Sequence, residues 1–140
     1  MRFEKYLQEK YLGSFTPSFS KKYIEYFVNP TKKELRDAAN ASTDKAVRFA
    51  ADNKTKKVYA WASDGTHQEV LDQIYGDFDY PSHVLTGIVK MKGGKWTVPP
   101  EGVPMLELYS NIKKLKSIDW SWLEKWFNID EIYAELGQIV

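Results

Sequence analysis

Two short runs, VRFAA and KVYAWA, flank the polar stretch Asp52-Asn53-Lys54-Thr55-Lys56, and in both of them apolar side chains alternate with other types. A period of two sends successive side chains to opposite faces of a strand, so this pattern predicts a β-hairpin over about residues 46–62. With the turn centred between Lys54 and Thr55, Arg48 falls opposite Trp61, Phe49 opposite Ala60 and Ala50 opposite Tyr59. One face then holds Val47, Phe49, Ala51, Val58, Ala60 and Ala62, suited to receiving a helix, and the other holds Arg48, Tyr59 and Trp61. A slip of two residues preserves this division.

Helix-start signals lie on either side of the hairpin. Thr31-x-x-Glu34 and Thr66-x-x-Glu69 are capping boxes, in which hydroxyl and carboxylate each satisfy an orphan amide, and they predict helices over about 31–40 and 66–75. The aromatic, β-rich run at 22–28 predicts an N-terminal strand, and HVLTGIVKMK and KWTV around Gly93-Gly94 predict a second hairpin over about 83–98. Phe3, Tyr6, Leu7 and Tyr11 at helical spacing predict a short amphipathic helix over 2–12 that stops at Gly13. SFTPSFS, the segment Asp77 to Pro81 and PPEGVP are expected as loops and an irregular connector, while MLELYSNIKKLK fits either a strand or a helix. Trp122 and Trp126, four apart in IDWSWLEKWF, predict a helix with an aromatic face, and a last short helix is expected from Asp130 to Leu136. This order predicts one α+β domain over 1–140, with a mainly antiparallel sheet built from two hairpins and an N-terminal strand, and helices packed against it.

At 140 residues, 43% hydrophobic and 15% aromatic, the chain is long and apolar enough to bury a core. The absence of Cys excludes disulfides, thiolate metal sites and cysteine nucleophiles. Twenty basic residues against nineteen acidic ones give a net charge of +1, which removes the attraction that a non-specific nucleic-acid binder depends on. Charge interrupts MRFEKYLQEKYLGSF every two or three positions, and no apolar window reaches eighteen residues, so neither a secretory leader nor a membrane span is expected.

Arg48, Trp61 and His67 are expected at one end of the hairpin, because Thr66 opens its helix just after the strand that carries Trp61. Two readings stay open. In one, His67 is an acid or base beside an arginine stacked over tryptophan; in the other, Arg48 and His67 satisfy hydrogen bonds at a sheet end and Trp61 covers them. His67, His83, Asp64 and Asp79 lack standard metal spacing, so no metal or other cofactor is expected. Gly93-Gly94-Lys95 reads as a turn, and Lys113, Lys114 and Lys116 as a solvated face. Trp120, Trp122 and Trp126 are expected in a core or at a protein interface, since one helix face cannot bury all three.

FEKYLQEKYLGSF, FVNPTKKEL, the central VRF…D…VYAW…H pattern and HVLTGIVKMKGGKW resemble a set of small proteins carried by tailed bacteriophages, over about residues 1–98. The resemblance implies a phage origin and a place in the virion or the host cytoplasm. With it goes the expectation of a non-enzymatic protein that contacts a protein partner through Tyr59, Trp61, Trp120, Trp122 and Trp126. The alternative, by element order alone, is a metal-independent hydrolase similar to the barnase-, EndoU- and RelE-like RNases, using Arg48, His67 and His83.

Overall fold

The computed structural model describes residues 23–76, 82–90, 103–107 and 112–138. Its sheet is built outward from the first hairpin. Strands β2 (Val47–Asp52) and β3 (Lys57–Ala62) pair antiparallel with Arg48 opposite Trp61, Phe49 opposite Ala60 and Ala50 opposite Tyr59, the register that alternation predicts. Lys56 closes the turn by donating its backbone N–H to the Asp52 carbonyl at 2.8 Å, from a left-handed conformation with φ of 61°. The Asp52 carboxylate accepts the N–H groups of Lys54 and Thr55 at 2.9 and 3.2 Å, which satisfies the amides that the turn leaves unpaired.

Three more strands complete an antiparallel sheet in the order β1-β3-β2-β4-β5, where β1 is Phe27–Val28, β4 is Val84–Lys90 and β5 is Val103–Leu106. Helices α1 (Lys32–Ala41) and α2 (His67–Tyr75) start at Thr31 and Thr66, each with a complete capping box. Helices α3 (Ile112–Lys116) and α4 (Ile129–Gln138) enclose a 3₁₀ turn at Ser121–Lys125. The class is α+β, as expected.

Both faces of the sheet are covered. Phe49, Ala51, Val58, Leu85 and Val89 pack against Leu115, Trp120, Leu123, Phe127, Ile132 and Leu136 from the C-terminal helices, while Val47 and Ala60 on the same face receive Leu35, Ala38 and Ala39 of α1. The opposite face sets Ala50, Trp61 and Val84 against Val70 and Leu71 of α2. Phe49 stacks on Phe127 at 4.2 Å, and its ring lies so close over Gly87 that a Cβ there would come within 2.7 Å of it. Glycine at 87 is therefore a packing requirement.

Several expectations need correction. The N-terminal strand is confined to two residues because the Gln73 side chain takes both backbone groups of Ile24, accepting its N–H at 3.0 Å and donating to its carbonyl at 2.9 Å. Residues 103 and 104, expected within a connector, begin β5 and pair with Lys90 and Val89. Pro104 is tolerated there because β5 is an edge among the described strands: Glu107 N–H bonds the Thr86 carbonyl at 3.2 Å, so by the two-residue period Pro104 turns its missing donor outward. The stretch from 105 to 116 is strand at its start and helix at its end. Of the second hairpin, β4 is observed, whereas the Gly93-Gly94 turn and residues 95–98 lie outside the described residues, as do the helix expected over 2–12 and the loops before residue 23 and over 77–81.

Where a helix is expected over IDWSWLEKWF, the structure has only the 3₁₀ turn at Ser121–Lys125. Each indole N–H there has an acceptor on a different element: Trp120 donates to the Leu115 carbonyl at 2.8 Å, Trp122 to Asn53 at 2.9 Å and Trp126 to the Pro30 carbonyl at 2.9 Å. One α-helical face would point Trp122 and Trp126 the same way, and the tighter turn lets them diverge.

Candidate functional site

The turn after β3 delivers α2 to the site. Trp61 donates its indole N–H to the Gly65 carbonyl at 2.8 Å, and Gly65 donates to the Ala62 carbonyl at 3.1 Å, which folds Ser63-Asp64-Gly65 back over the tryptophan. A Cβ at Gly65 would lie 2.6 Å from Ile24, so the fold-back has no room for one. Thr66 then caps α2, and His67, its first residue, carries its ring in over the sheet.

Arg48, Trp61 and His67 do meet, and a fourth residue joins them. His67 is 0% exposed and meets Trp61 edge-on at 5.4 Å. Its Nε2 lies 3.0 Å from the Gly87 carbonyl and its Nδ1 lies 2.8 Å from Glu107 Oε2. A carbonyl only accepts, so Nε2 carries a proton, while Nδ1 is held against the carboxylate. Burial pushes the His67 pKa below its usual value, Glu107 and the Gly87 carbonyl pull it the other way, and Arg48 adds to the lowering.

Arg48 is not stacked on Trp61. Its guanidinium donates to the Ser63 carbonyl at 3.1 Å and to Glu107 Oε1 at 3.3 Å, while its Nε is buried without a partner. Among the described residues the cation–π contacts are Lys56 over Trp122 and Lys125 over Trp126. Glu107, 38% exposed, thus ties together the first residue of α2, the second residue of β2 and the end of β5. The sequence does not single it out, because its segment fits strand and helix equally and so assigns its side chain no face. The arrangement is the hydrogen-bonded reading of the cluster: a histidine with both nitrogens engaged and no exposed surface offers no atom to a substrate.

His83 stands at the other end of the sheet. Its Nε2 lies 3.0 Å from Oδ1 of the buried Asp52 carboxylate, which also accepts the Tyr75 hydroxyl at 2.8 Å. Burial first, and then the bond to Asp52, pushes the Tyr75 pKa far above its usual value. Asp52 therefore joins the β2–β3 turn, the entry to β4 and the end of α2.

The aromatic residues expected to form a contact surface divide. Trp61 and Trp120 are each 0% exposed, which removes them from any surface; Tyr59, Trp122 and Trp126 are half-buried. The exposed large apolar side chains among the described residues are Val28, Met105 and Tyr133. Among the described residues no group of three or more His, Asp or Glu is placed to hold a metal ion, and no helix is long and apolar enough to cross a membrane. No protein-family model matches the chain, and comparisons with curated proteins and with solved structures give no match.

Proposed function

We propose that the chain is a non-enzymatic protein of tailed bacteriophages that works by contact with another protein, as a small virion component or as a modulator of a host protein. The observation that carries this reading is the closure of the Arg48–His67 site: His67 has no exposed surface and spends both ring nitrogens inside the molecule. The hydrolase reading needs those atoms. The phage assignment rests on the motifs quoted above. For a partner, the half-buried Trp122 and the exposed Tyr133 offer aromatic area on the C-terminal side of the sheet, where the Tyr133 hydroxyl accepts the Trp120 backbone N–H at 3.0 Å. Aromatic side chains fixed in this way lose little entropy when they are covered.

Affinity capture from infected cells with the wild type and with Tyr133→Asp tests the reading. A phage or host protein retained by the first and lost by the second is expected, along with no cleavage of RNA by the purified chain. A monodisperse monomer that is absent from virions and captures nothing, or RNA cleavage that disappears in His67→Ala, would overturn it.

A further inference from the structure

Lys113 and Lys114 read as a solvated face in the sequence, but the fold brings Ser82 beside them. Ser82, Lys113, Lys114 and Ser117 line a shallow, open depression. Both walls are anchored. On one side, the residue after Ser82 is fixed twice: the His83 carbonyl accepts the Asn53 N–H at 3.1 Å, and its imidazole is held by buried Asp52. On the other, Leu115 is fully buried and its carbonyl accepts the Trp120 indole, so the turn of α3 that bears the lysines cannot drift.

We propose that this depression binds the phosphomonoester group of a small molecule. Each of its described lining side chains carries a hydrogen-bond donor, and two ammonium groups match a group that bears a charge of about −1.5 to −2 at neutral pH. The carboxyl end of α3 opposes an anion with at most about half an elementary charge, which two lysines outweigh. Ser117 now donates its hydroxyl to the Lys114 carbonyl at 2.7 Å and so secures the turn, leaving Ser82 and the lysines as the primary donors. Lys113 and Lys114 also have interactions of their own, so phosphate enters by exchange of partners. A polyanion such as duplex nucleic acid is disfavoured, since its affinity comes from many phosphate contacts along a basic track and the chain has a net charge of only +1. This inference is independent of the protein-contact reading.

The test is a titration of the full chain followed by amide ¹H–¹⁵N correlation spectra, with inorganic phosphate, a nucleoside monophosphate, a duplex oligonucleotide, and sodium chloride as the ionic-strength control. Saturable shifts at Ser82, His83, Lys113, Lys114 and Ser117 are expected with phosphate and the monophosphate, and at least about tenfold weaker binding in Lys113→Gln/Lys114→Gln. Both lysines are exposed, and unshifted core amides would establish that the double variant is folded. Shifts that merely track chloride, saturation unchanged in the double variant, or tighter saturation by the oligonucleotide than by the monophosphate would each overturn the proposal.

Discussion

Glu107 reaches His67 Nδ1 at 2.8 Å from a position forty residues further along the chain. Its other oxygen takes the Arg48 guanidinium, so one half-exposed carboxylate serves two groups that lie beneath it. Glu107→Ala removes the partner of His67 Nδ1 and one of the two acceptors of the Arg48 guanidinium. We expect a loss of about 1–3 kcal/mol, less than for a wholly buried pair because water can partly replace the carboxylate. Urea denaturation checks this; an unchanged midpoint would mean that the cluster contributes nothing to stability.

His67 also makes stability depend on pH. Its folded pKa lies below the usual 6.5, mainly through burial, so the unfolded chain binds the proton more readily. Its contribution is therefore fully present above about pH 6.5 and is lost as pH falls from there through the folded value. Unfolding midpoints measured from pH 8 to pH 5 are expected to decline in the wild type and to flatten in His67→Gln. Equal slopes would place the titration elsewhere.

Gly87→Ala places a methyl group 2.7 Å from the Phe49 ring and 2.9 Å from the Met105 backbone oxygen. The ring can shift only against Phe127, and the oxygen belongs to a paired strand. Overpacking of this kind costs about 1–3 kcal/mol. A second change, Phe49→Leu, is expected to recover part of the Gly87→Ala loss, measured as a coupling energy in a double-mutant cycle.

Asp52→Ala removes the acceptor of Lys54 N–H, Thr55 N–H and the Tyr75 hydroxyl together, and with it the ion-pair contact to His83. A loss of about 3–5 kcal/mol is expected, against about 1 kcal/mol for Tyr75→Phe, which deletes one bond and leaves the carboxylate otherwise served. Hydrogen exchange should show the largest loss of protection around the β2–β3 turn.

The outer edge of β5 is blunted twice: Pro104 has no N–H, and Leu106 donates its N–H to Glu135 of α4 at 3.1 Å. Burial raises the Glu135 pKa, with the Leu106 bond opposing that shift. Glu135→Ala frees the Leu106 donor. Light scattering is expected to register more self-association in this variant than in the wild type at equal concentration.

What could be read from the sequence is what is local. The two capping boxes span four residues each, and the hairpin register needs only a turn and a two-residue alternation, so these match the observed elements. What escaped depends on distant partners. Gln73 intercepts Ile24 across forty-nine positions and shortens a strand that its own residues favour. The indoles of Trp122 and Trp126 find acceptors sixty-nine and ninety-six positions away, and those contacts outweigh the helical spacing of the segment. Glu107 belongs to the same group. It reads as an ordinary acid until β5 is placed beside β4.

The tryptophans make the molecule its own optical gauge. Trp61, Trp120, Trp122 and Trp126 each have the indole N–H bonded within the protein at 2.8–2.9 Å, one under α2 and three on the opposite side of the sheet. Emission from Trp61 reports the α2 layer separately from the rest, so a chain that retains it alone would show by its red shift when that layer melts.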